Sequence, residues 1–307
     1  MTDRVVLVTG ASSGIGRATA QELSRRGDHL FLLSRSAAPL KAAATECRAA
    51  GAASVAILVA DVGDDDAVRD AVAEVVARHG RLDAVVNSAA VVAYGRVEDV
   101  PVEVYDRVHR TNVLGSVNLA RHVVPVLRGQ GHGTFVLIGS VLGEIAVPQM
   151  SAYVTTKWAI RALARHLQIE NRDIKGVSIC LVTPGGVDTP VYAQAATSTG
   201  SVGRPPPPVD SPEKVARAVA KAIDHPRRVV DVGLANPLMV LGFTLVPRVF
   251  DALVGPLFSM AAQDRRQPAG GPGNVLEPQP ELEQVKGEQG SSVVSIAAQL
   301  VSLVRRS

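Results

Sequence analysis

Short runs of aliphatic residues recur along the chain, and stretches of helical character separate them. The runs lie at residues 5–8, 30–33, 55–59, 84–86, 135–138 and 177–182. None of them alternates polar with apolar positions, which is typical of strands in a parallel sheet that helices cover on both faces. This alternation of strand and helix predicts an α/β fold with a doubly wound parallel sheet of six strands, and a seventh strand at 228–233.

The predicted helices carry end signals. Asp64 stands where the N-cap of a helix would be, and Asp65 and Asp66 after it suit the positive end of the helix dipole. Residues 212–224 predict a helix with Pro212 at its first position, where a missing N–H is harmless.

The composition changes after about residue 190. Residues 190–211 contain few strong helix formers and four consecutive prolines, which predicts a mobile lid. Two apolar blocks follow, at 238–246 and 252–260, and each is too short to cross a bilayer, which needs about 20 apolar residues. The predicted organisation is a main domain (1–235), an apolar extension (236–264), a Pro/Gly-rich linker (265–290) and an amphipathic C-terminal helix (291–307).

The apolar side chains of the predicted C-terminal helix cover well over half of its circumference. Few monomeric proteins could leave such a face in water. Three placements stay open: the core of the protomer, a second subunit, or a lipid interface with Arg305 and Arg306 at the headgroups.

Composition and charge exclude several classes of protein. A formal charge of +3, with no basic run interleaved with aromatic residues, argues against nucleic-acid binding. The histidines form no metal-binding pattern, and Cys47 and Cys180 show no metal or redox spacing, so we expect no metal and free thiols. The N-terminus enters a strand-like run at once, which predicts no signal peptide and a cytoplasmic protein.

Tyr153 and Lys157 share one face of a helix predicted to begin near Ser151, with Cβ atoms about 5–6 Å apart. A free tyrosine has a pKa near ~10. One positive charge ~4 Å away, at an effective dielectric of ~20, would supply about 4 kcal/mol, enough to lower that pKa by ~3 units. The pair could therefore act as a general acid/base near neutral pH, or it could be a core tyrosine beside an exposed lysine on an amphipathic helix.

Glycines follow the first aliphatic run, in the stretch TGASSGIG at residues 9–16, immediately before a predicted helix. Glycine permits a tight turn and a close backbone approach, and a helix N-terminus offers free N–H groups to a phosphate. Further motifs stand after later runs, in the order Asp61-Val62, Asn87-Ser88-Ala89-Ala90, Asn112, Ser140, Tyr153 with Lys157, and Pro184-Gly185. In these residues the chain resembles the short-chain dehydrogenase/reductase family, whose motifs are TGxxxGIG and YxxxK, over roughly residues 3–235.

The resemblance implies a Rossmann-like domain that binds a nicotinamide dinucleotide, with the matching residues in these roles. The pyrophosphate and its surroundings would lie against Thr9, Gly10, Ser12, Ser13, Gly14, Ile15 and Gly16. The adenine would lie against Asp61, which hydrogen-bonds its amino group, and Val62. The nicotinamide and its ribose would lie against Asn87, Ala89, Tyr153, Lys157, Pro184, Gly185, Val187 and Thr189. Ala90 departs from the glycine that is usual in the family at that position.

The end of the second strand bears on the choice of cofactor. NAD-binding relatives place an acidic residue there for the ribose hydroxyl, whereas this chain has Ser34 and Arg35. An arginine fork can bind a 2′-phosphate with two hydrogen bonds, so these residues favour NADP(H) over NAD(H). A solvated surface arginine is the alternative interpretation of Arg35.

The resemblance also implies the reaction, the exchange of a hydride and a proton between a carbonyl and a secondary alcohol. Tyr153 would transfer the proton, Ser140 would hold the substrate oxygen, and Lys157 would lower the tyrosine pKa and bind the ribose. Asn112 would hold a water that links the lysine to solvent, or stabilise a helix kink. The predicted substrate pocket is lined by Val91, Val92, Tyr94, Val141, Leu142, Ile145, Val147, Val191 and Tyr192, with Glu144 at the rim. Such an apolar lining favours a hydrophobic substrate.

Two other functions remain open at this stage: an NADP(H)-binding redox sensor without turnover, and a membrane-associated regulatory protein. A pure sensor has no need of the full set of Asn112, Ser140, Tyr153 and Lys157, so the set favours an enzyme. Members of the family commonly associate through the helices that carry these residues, which implies a homodimer or homotetramer. A peripheral membrane contact through the C-terminus is a further expectation.

Overall fold

Seven parallel strands form the central sheet in the computed structural model, which describes residues 3–264 and 270–287. The strands are β1 (Val5–Thr9), β2 (His29–Ser34), β3 (Ser54–Val59), β4 (Ala84–Asn87), β5 (Gly133–Ile138), β6 (Val177–Pro184) and β7 (Val229–Val232). Their order across the sheet is β7-β6-β5-β4-β1-β2-β3. The predicted doubly wound α/β sheet is confirmed, and each aliphatic run supplies one strand.

Helices cover both faces of this sheet. They are α1 (Gly14–Ser24), α2 (Ala37–Ala49), α3 (Asp65–His79), α4 (Val102–His109), α5 (Gly115–Gln130), α6 (Ser151–Glu170) and α7 (Pro212–Asp224). Side chains of α3, α5 and α6 pack on one face, and those of α1, α2 and α7 pack on the other. This two-sided burial explains why the strands are aliphatic at nearly every position.

Two helix starts agree with their sequence signals. The Asp64 side chain accepts a hydrogen bond from the Ala67 N–H at 3.1 Å, so it is the N-cap of α3. Helix α7 begins at Pro212 as predicted, and the Ser211 hydroxyl accepts from the Lys214 N–H at 3.2 Å.

A kink interrupts the helical stretch between α4 and α5. Residues Arg110–Leu114 form a π-helix there, in which each backbone hydrogen bond spans one residue more than in an α-helix. The kink brings Asn112 beneath the carboxyl end of β4, where the side chain bonds to Val91.

Residues 190–211, predicted to form a lid, are tied to the body by short two-residue strands. These pairings join Ala93–Tyr94 to Ala196–Thr197, Gly186–Val187 to Val209–Asp210, and Val202–Gly203 to Gln263–Asp264. A 3₁₀ turn at Pro190–Tyr192 opens the segment.

The apolar extension forms two further helices, α8 (Asn236–Leu245) and α9 (Pro247–Ala261). Within residues 3–264 and 270–287, no helix is long and apolar enough to cross a membrane. Residues 270–287 belong to the predicted linker, but they do not leave the body: they lie against the loop after β1, with a 3₁₀ turn at Pro280–Leu282. The predicted helix at 291–307 lies outside the described residues.

Candidate active site

The strand order reverses between β1 and β4, so the connections that follow these two strands run to opposite faces of the sheet and leave a crevice at their carboxyl ends. A cavity of about 800 Å³ occupies this crevice, within the range of small-molecule and cofactor sites. Most of the predicted site residues line it: Gly10, Ser12, Ser13, Gly14, Ile15, Ser34, Arg35, Asp61, Val62, Ala89, Ser140, Tyr153, Lys157, Pro184, Gly185, Val187 and Thr189. Thr9, Gly16, Asn87 and Asn112 lie behind its wall.

The loop after β1 has the shape of a phosphate cradle. A Cβ atom at Gly10 would lie 2.9 Å from the Ala89 backbone nitrogen, and one at Gly16 would lie 2.3 Å from the Gly10 carbonyl oxygen. Glycine is therefore required at both positions for the loop to fold back onto the start of α1. The first residues of that helix, Gly14 and Ile15, line the cavity, and a helix N-terminus favours an anion, so the residues present fit a dinucleotide pyrophosphate.

Thr9 and Asn87 support this loop from behind. The Thr9 hydroxyl donates to the Asn87 side-chain oxygen at 2.8 Å and accepts from the Ala89 N–H at 3.3 Å. The Asn87 amide donates in turn to the Ser116 hydroxyl at 2.7 Å. These buried bonds fix the ends of β1 and β4 relative to each other.

Arg35, immediately after β2, is half-buried beneath the C-terminal part of the chain. Its guanidinium donates to the backbone carbonyl of Asn274 at 2.7 Å and to that of Val275 at 3.4 Å. Burial lowers the pKa of Arg35, and the neighbouring Asp61 carboxylate partly offsets this effect. No acidic residue stands at the end of β2 itself.

Both oxygens of the Asp61 carboxylate are engaged. One accepts from the Gly63 N–H at 2.8 Å, and the other pairs with Arg107. Burial on its own would raise the pKa of Asp61, but the Gly63 N–H and the Arg107 charge together lower it. The expected contact of Asp61 with adenine stays a prediction.

Tyr153, Lys157 and Ser140 meet at the inner end of the cavity. Tyr153 and Lys157 lie one turn apart on α6, and Ser140 follows β5. The Lys157 ammonium lies 5.4 Å from the centroid of the Tyr153 ring and donates to the Ile138 carbonyl at 2.9 Å. The Ser140 hydroxyl accepts from the Leu142 N–H at 3.1 Å.

The electrostatics of this group differ from the expectation. Burial raises the pKa of the Tyr153 phenol, with Tyr192 adding to the rise and a hydrogen bond with Ser140 lowering it. Burial lowers the pKa of Lys157 to about 8. The predicted net depression of the tyrosine pKa is therefore not seen in this structure: burial is the largest influence on this pKa and raises it, and the Lys157 ammonium bonds to the Ile138 carbonyl at the end of β5.

The side chain of Asn112 joins three elements. Its oxygen accepts from the Val91 N–H at 2.9 Å, and its amide donates to the Val91 carbonyl and to the Thr156 hydroxyl, both at 3.0 Å. These bonds join the π-helix to the loop after β4 and to α6, as expected of a residue that stabilises the kink. The water-holding role stays a prediction.

The predicted apolar lining is confirmed: all nine of its residues line the cavity. Glu144, which was expected at the rim, is not a lining residue and pairs with Arg161 at 2.5 Å.

The cavity extends further than the sequence indicated. The additional walls include Met150, Gln194, Asn236, one side of α8 and α9, and Asn274 and Glu283. Asn236 follows the seventh aliphatic run, so inspecting the residues after that run, as for the other six, would have found it. Its amide donates to the Thr183 carbonyl at 3.1 Å, and its side chain lies beside Gly185.

Comparison with known proteins identifies the family. Residues 4–199 match the model of the short chain dehydrogenases, which is more than half of the chain. The chain belongs to the short-chain dehydrogenase/reductase family. It is an oxidoreductase of this family, with a fold that is Rossmann-like.

Individual members resemble it over most of its length. The uncharacterized oxidoreductase YxnA of Bacillus subtilis is 33% identical over 261 residues, which are 83% of this chain and 72% of that protein. An NADPH-dependent pterin aldehyde reductase of Arabidopsis thaliana is 29% identical over 204 residues, 66% of this chain and 83% of the relative. The crystal structure of levodione reductase superposes with a TM-score of 0.69 at 26% identity, covering 78% of this chain and 99% of that one.

Proposed function

We propose that this oxidoreductase interconverts a carbonyl and a secondary alcohol on a hydrophobic small molecule, with NADP(H) as its cofactor. The observation that carries the proposal is the shared cavity: Ser140, Tyr153 and Lys157 lie at the inner end of the space that begins at the glycine-rich loop. A group held by that loop would extend towards the buried phenol of Tyr153.

Each of the three side chains has a distinct task. Bound NADP(H) supplies or accepts the hydride. Tyr153 donates a proton to the substrate oxygen in the reductive direction and removes it in the oxidative one. Ser140 donates a hydrogen bond to that oxygen, and the Lys157 ammonium, held above the tyrosine ring, offers a positive charge to developing phenolate.

The end of β2 supports NADP(H) rather than NAD(H). Arg35 offers a partly desolvated guanidinium fork to the cavity, and Ser34 and Ser36 line the cavity on either side of it. A carboxylate at this place would repel a 2′-phosphate, and the chain has none. The NADPH-dependent reductase among its relatives supports the same choice.

The walls beyond Tyr153 support a hydrophobic substrate. They are mainly Val, Leu, Ile, Met and aromatic side chains, and the polar groups there are few. A lining of this kind favours apolar carbonyl compounds over sugars or hydroxy acids.

The outer part of the cavity opens beside an apolar surface on α8 and α9. Six aliphatic side chains there are each more than half exposed: Leu238, Leu241, Leu245, Val249, Leu253 and Leu257. Four of the six also line the cavity. We call this surface the α8–α9 face. We assign to it a peripheral contact with lipid or a contact with a second copy of the chain, next to the entrance for a hydrophobic substrate.

The test is oxidation of NADPH by purified protein in the presence of a panel of ketones, aldehydes, quinones, steroids and long-chain acyl ketones. We expect turnover with at least one apolar carbonyl compound and a preference over hydroxy acids and sugars of similar size. Absence of NADPH binding, or turnover confined to polar substrates, would refute the proposal.

A further inference from the structure

The C-terminal segment, residues 270–287, occupies hydrogen-bond donors that the proposed cofactor would need. The Gln284 carbonyl oxygen accepts from the Gly14 N–H at 2.8 Å and from the Ser13 hydroxyl at 3.1 Å. The Glu283 carbonyl accepts from Arg17 at 3.1 Å. A backbone oxygen therefore stands at the helix N-terminus where a pyrophosphate oxygen would bind.

The same segment also covers the residues proposed to select NADP(H). Arg35 donates to the carbonyls of Asn274 and Val275, and the Ser36 hydroxyl bonds to the Glu283 carboxylate. Glu283 also contributes negative charge at the Arg35 guanidinium. The segment thus supplies an anion and two carbonyl oxygens in the place of a 2′-phosphate.

At the far end of the cofactor site, the segment passes close to Thr189. A Cβ atom at Gly287 would lie 2.6 Å from the Thr189 carbonyl oxygen. Thr189 is one of the residues expected at the nicotinamide end, so the segment contacts the site at three separate points.

The segment is anchored on the body of the protein and not only on this site. Val275 is fully buried among side chains of the α4 region. The Asn274 N–H donates to the Gln194 carbonyl at 2.8 Å, and the Gly271 N–H donates to the Thr197 carbonyl at 3.2 Å. Its docked position is therefore a defined alternative to a bound dinucleotide.

We propose that the C-terminal segment is a built-in competitor of the cofactor, displaced from the glycine-rich loop and from Arg35 when the dinucleotide binds. This inference rests on the proposed NADP(H) function, since it adds a regulation to the same site. The single Gly14 N–H cannot serve two acceptors at full strength, so docking of the segment and binding of the cofactor exclude each other there. At Arg35, the segment's carbonyl oxygens and the Glu283 charge compete with a 2′-phosphate for the guanidinium. The apparent dissociation constant for NADPH is then the intrinsic constant divided by the fraction of molecules in which the segment is undocked.

Gly273 provides a variant that undocks the segment without altering any residue of the cofactor site. An added Cβ would lie 2.3 Å from the Gln194 carbonyl oxygen, and the backbone there has φ +53°. Gly270 is the matched control in the same segment, because a Cβ there meets no atom within 4 Å and the residue is exposed. Glu283→Gln is a second, milder variant, which removes the negative charge from Ser36 and Arg35.

The experiment measures NADPH affinity of the full chain by fluorescence titration, together with hydrogen exchange of the segment. We expect Gly273→Ala to tighten NADPH binding about ten-fold if the segment is docked in nine molecules of ten. Glu283→Gln should tighten it by a smaller factor, and Gly270→Ala should match the wild type. NADPH added to the wild-type protein should speed exchange at the Asn274 and Glu283 amides.

Two results would overturn the competitor while leaving the NADP(H) function standing. One is unchanged or weaker NADPH binding in both Gly273→Ala and Glu283→Gln. The other is slower exchange of the segment on NADPH addition, which would mean that it closes over the bound cofactor. If no variant binds a nicotinamide dinucleotide at all, the proposed function and the competitor both fail.

Discussion

At the residue scale, burial shifts the pKa values of Tyr153 and Lys157 in opposite directions. It raises that of the phenol and lowers that of the ammonium to about 8. Both shifts favour the neutral forms, because a low-dielectric site disfavours charge on either group. The spacing of the two residues on α6 could be predicted from the sequence. The direction of the Tyr153 pKa shift could not, since it depends on how deeply the surrounding structure buries the pair.

This shift of Lys157 sets the expected pH dependence. A lysine with a pKa of about 8 is mainly protonated at neutral pH and loses its charge as the pH rises through that value. The charge assists the reductive reaction, so kcat/KM for reduction should be highest below about pH 8 and fall above it. A rate profile between about pH 6 and about pH 10 checks this, and a profile that rises through that window would contradict it.

Arg35 determines the expected cofactor preference. Arg35→Ser should reduce the ratio of NADPH to NADH affinity by about 10- to 100-fold, since hydrogen bonds to a charged group contribute about 1.5–3 kcal/mol. The ratio is the right measurement because competition from the C-terminal segment at Gly14 affects both dinucleotides. Arg25→Ser, at an exposed arginine beyond α1, is the control and should leave the ratio unchanged. Equal or tighter binding of NADH by the wild type would refute the assignment.

At the scale of elements, the strands and main helices were predictable because their burial pattern is local. An aliphatic run is buried on both faces where it lies inside a parallel sheet, and Asp64 and Ser211 cap the helices that directly follow them. The two-residue strands that tie down 190–211 and the π-helix at Arg110–Leu114 were not predictable. Both depend on partners distant in sequence: Tyr94, Gly186 and Gln263 for the strands, and Val91 for the kink.

The π-helix provides a stability prediction. Asn112→Ala would leave the buried N–H and carbonyl of Val91 and the Thr156 hydroxyl without their partner. We expect a loss of about 1–3 kcal/mol in the free energy of unfolding, measured by urea denaturation. Leu114→Ala in the same turn is half-exposed and should change it by less than about 0.5 kcal/mol. Equal effects of the two variants would show that the bonds of Asn112 do not hold the kink.

The α8–α9 face provides a second prediction for an element. Leu241→Glu combined with Leu245→Glu places two charges on this exposed face and should reduce co-sedimentation with anionic liposomes, or the size of the oligomer in light scattering. The melting temperature should change little, because both side chains are more than half exposed. Val102→Glu, on an exposed valine at the start of α4, is the control. No change in either assay would leave the face without a role in association.

At the scale of the whole molecule, the position of the C-terminal segment was beyond the reach of the sequence. Its richness in Pro, Gly, Gln and Glu predicts a linker. The local sequence does not distinguish a linker from a segment that packs against the rest of the protein. The contact between Ser13 and Gln284 joins residues 271 positions apart. Only the three-dimensional arrangement of β1, β2 and the lid region reveals the surface on which the segment lies.

The residues that line the cavity, by contrast, were largely predictable from the order of their motifs in the sequence. Motif residues that follow β1, β2, β3, β4, β5 and β6 line one cavity together with Tyr153 and Lys157 of α6, because the carboxyl ends of parallel strands share an edge of the sheet. The extent of the cavity towards α8 and α9 could not be read, because it depends on how two helices outside the sheet pack.

The central claim, that Tyr153 transfers the proton in an NADP(H)-dependent reaction, is tested most directly by Tyr153→Phe on a substrate that the enzyme accepts. NADPH affinity should remain within about two-fold, whereas kcat should fall by at least about 100-fold, the usual contribution of a general acid. Tyr105→Phe, which removes the hydroxyl of a ring that stacks on His109 outside the cavity, should keep wild-type kinetics. Wild-type turnover by Tyr153→Phe would contradict the claim.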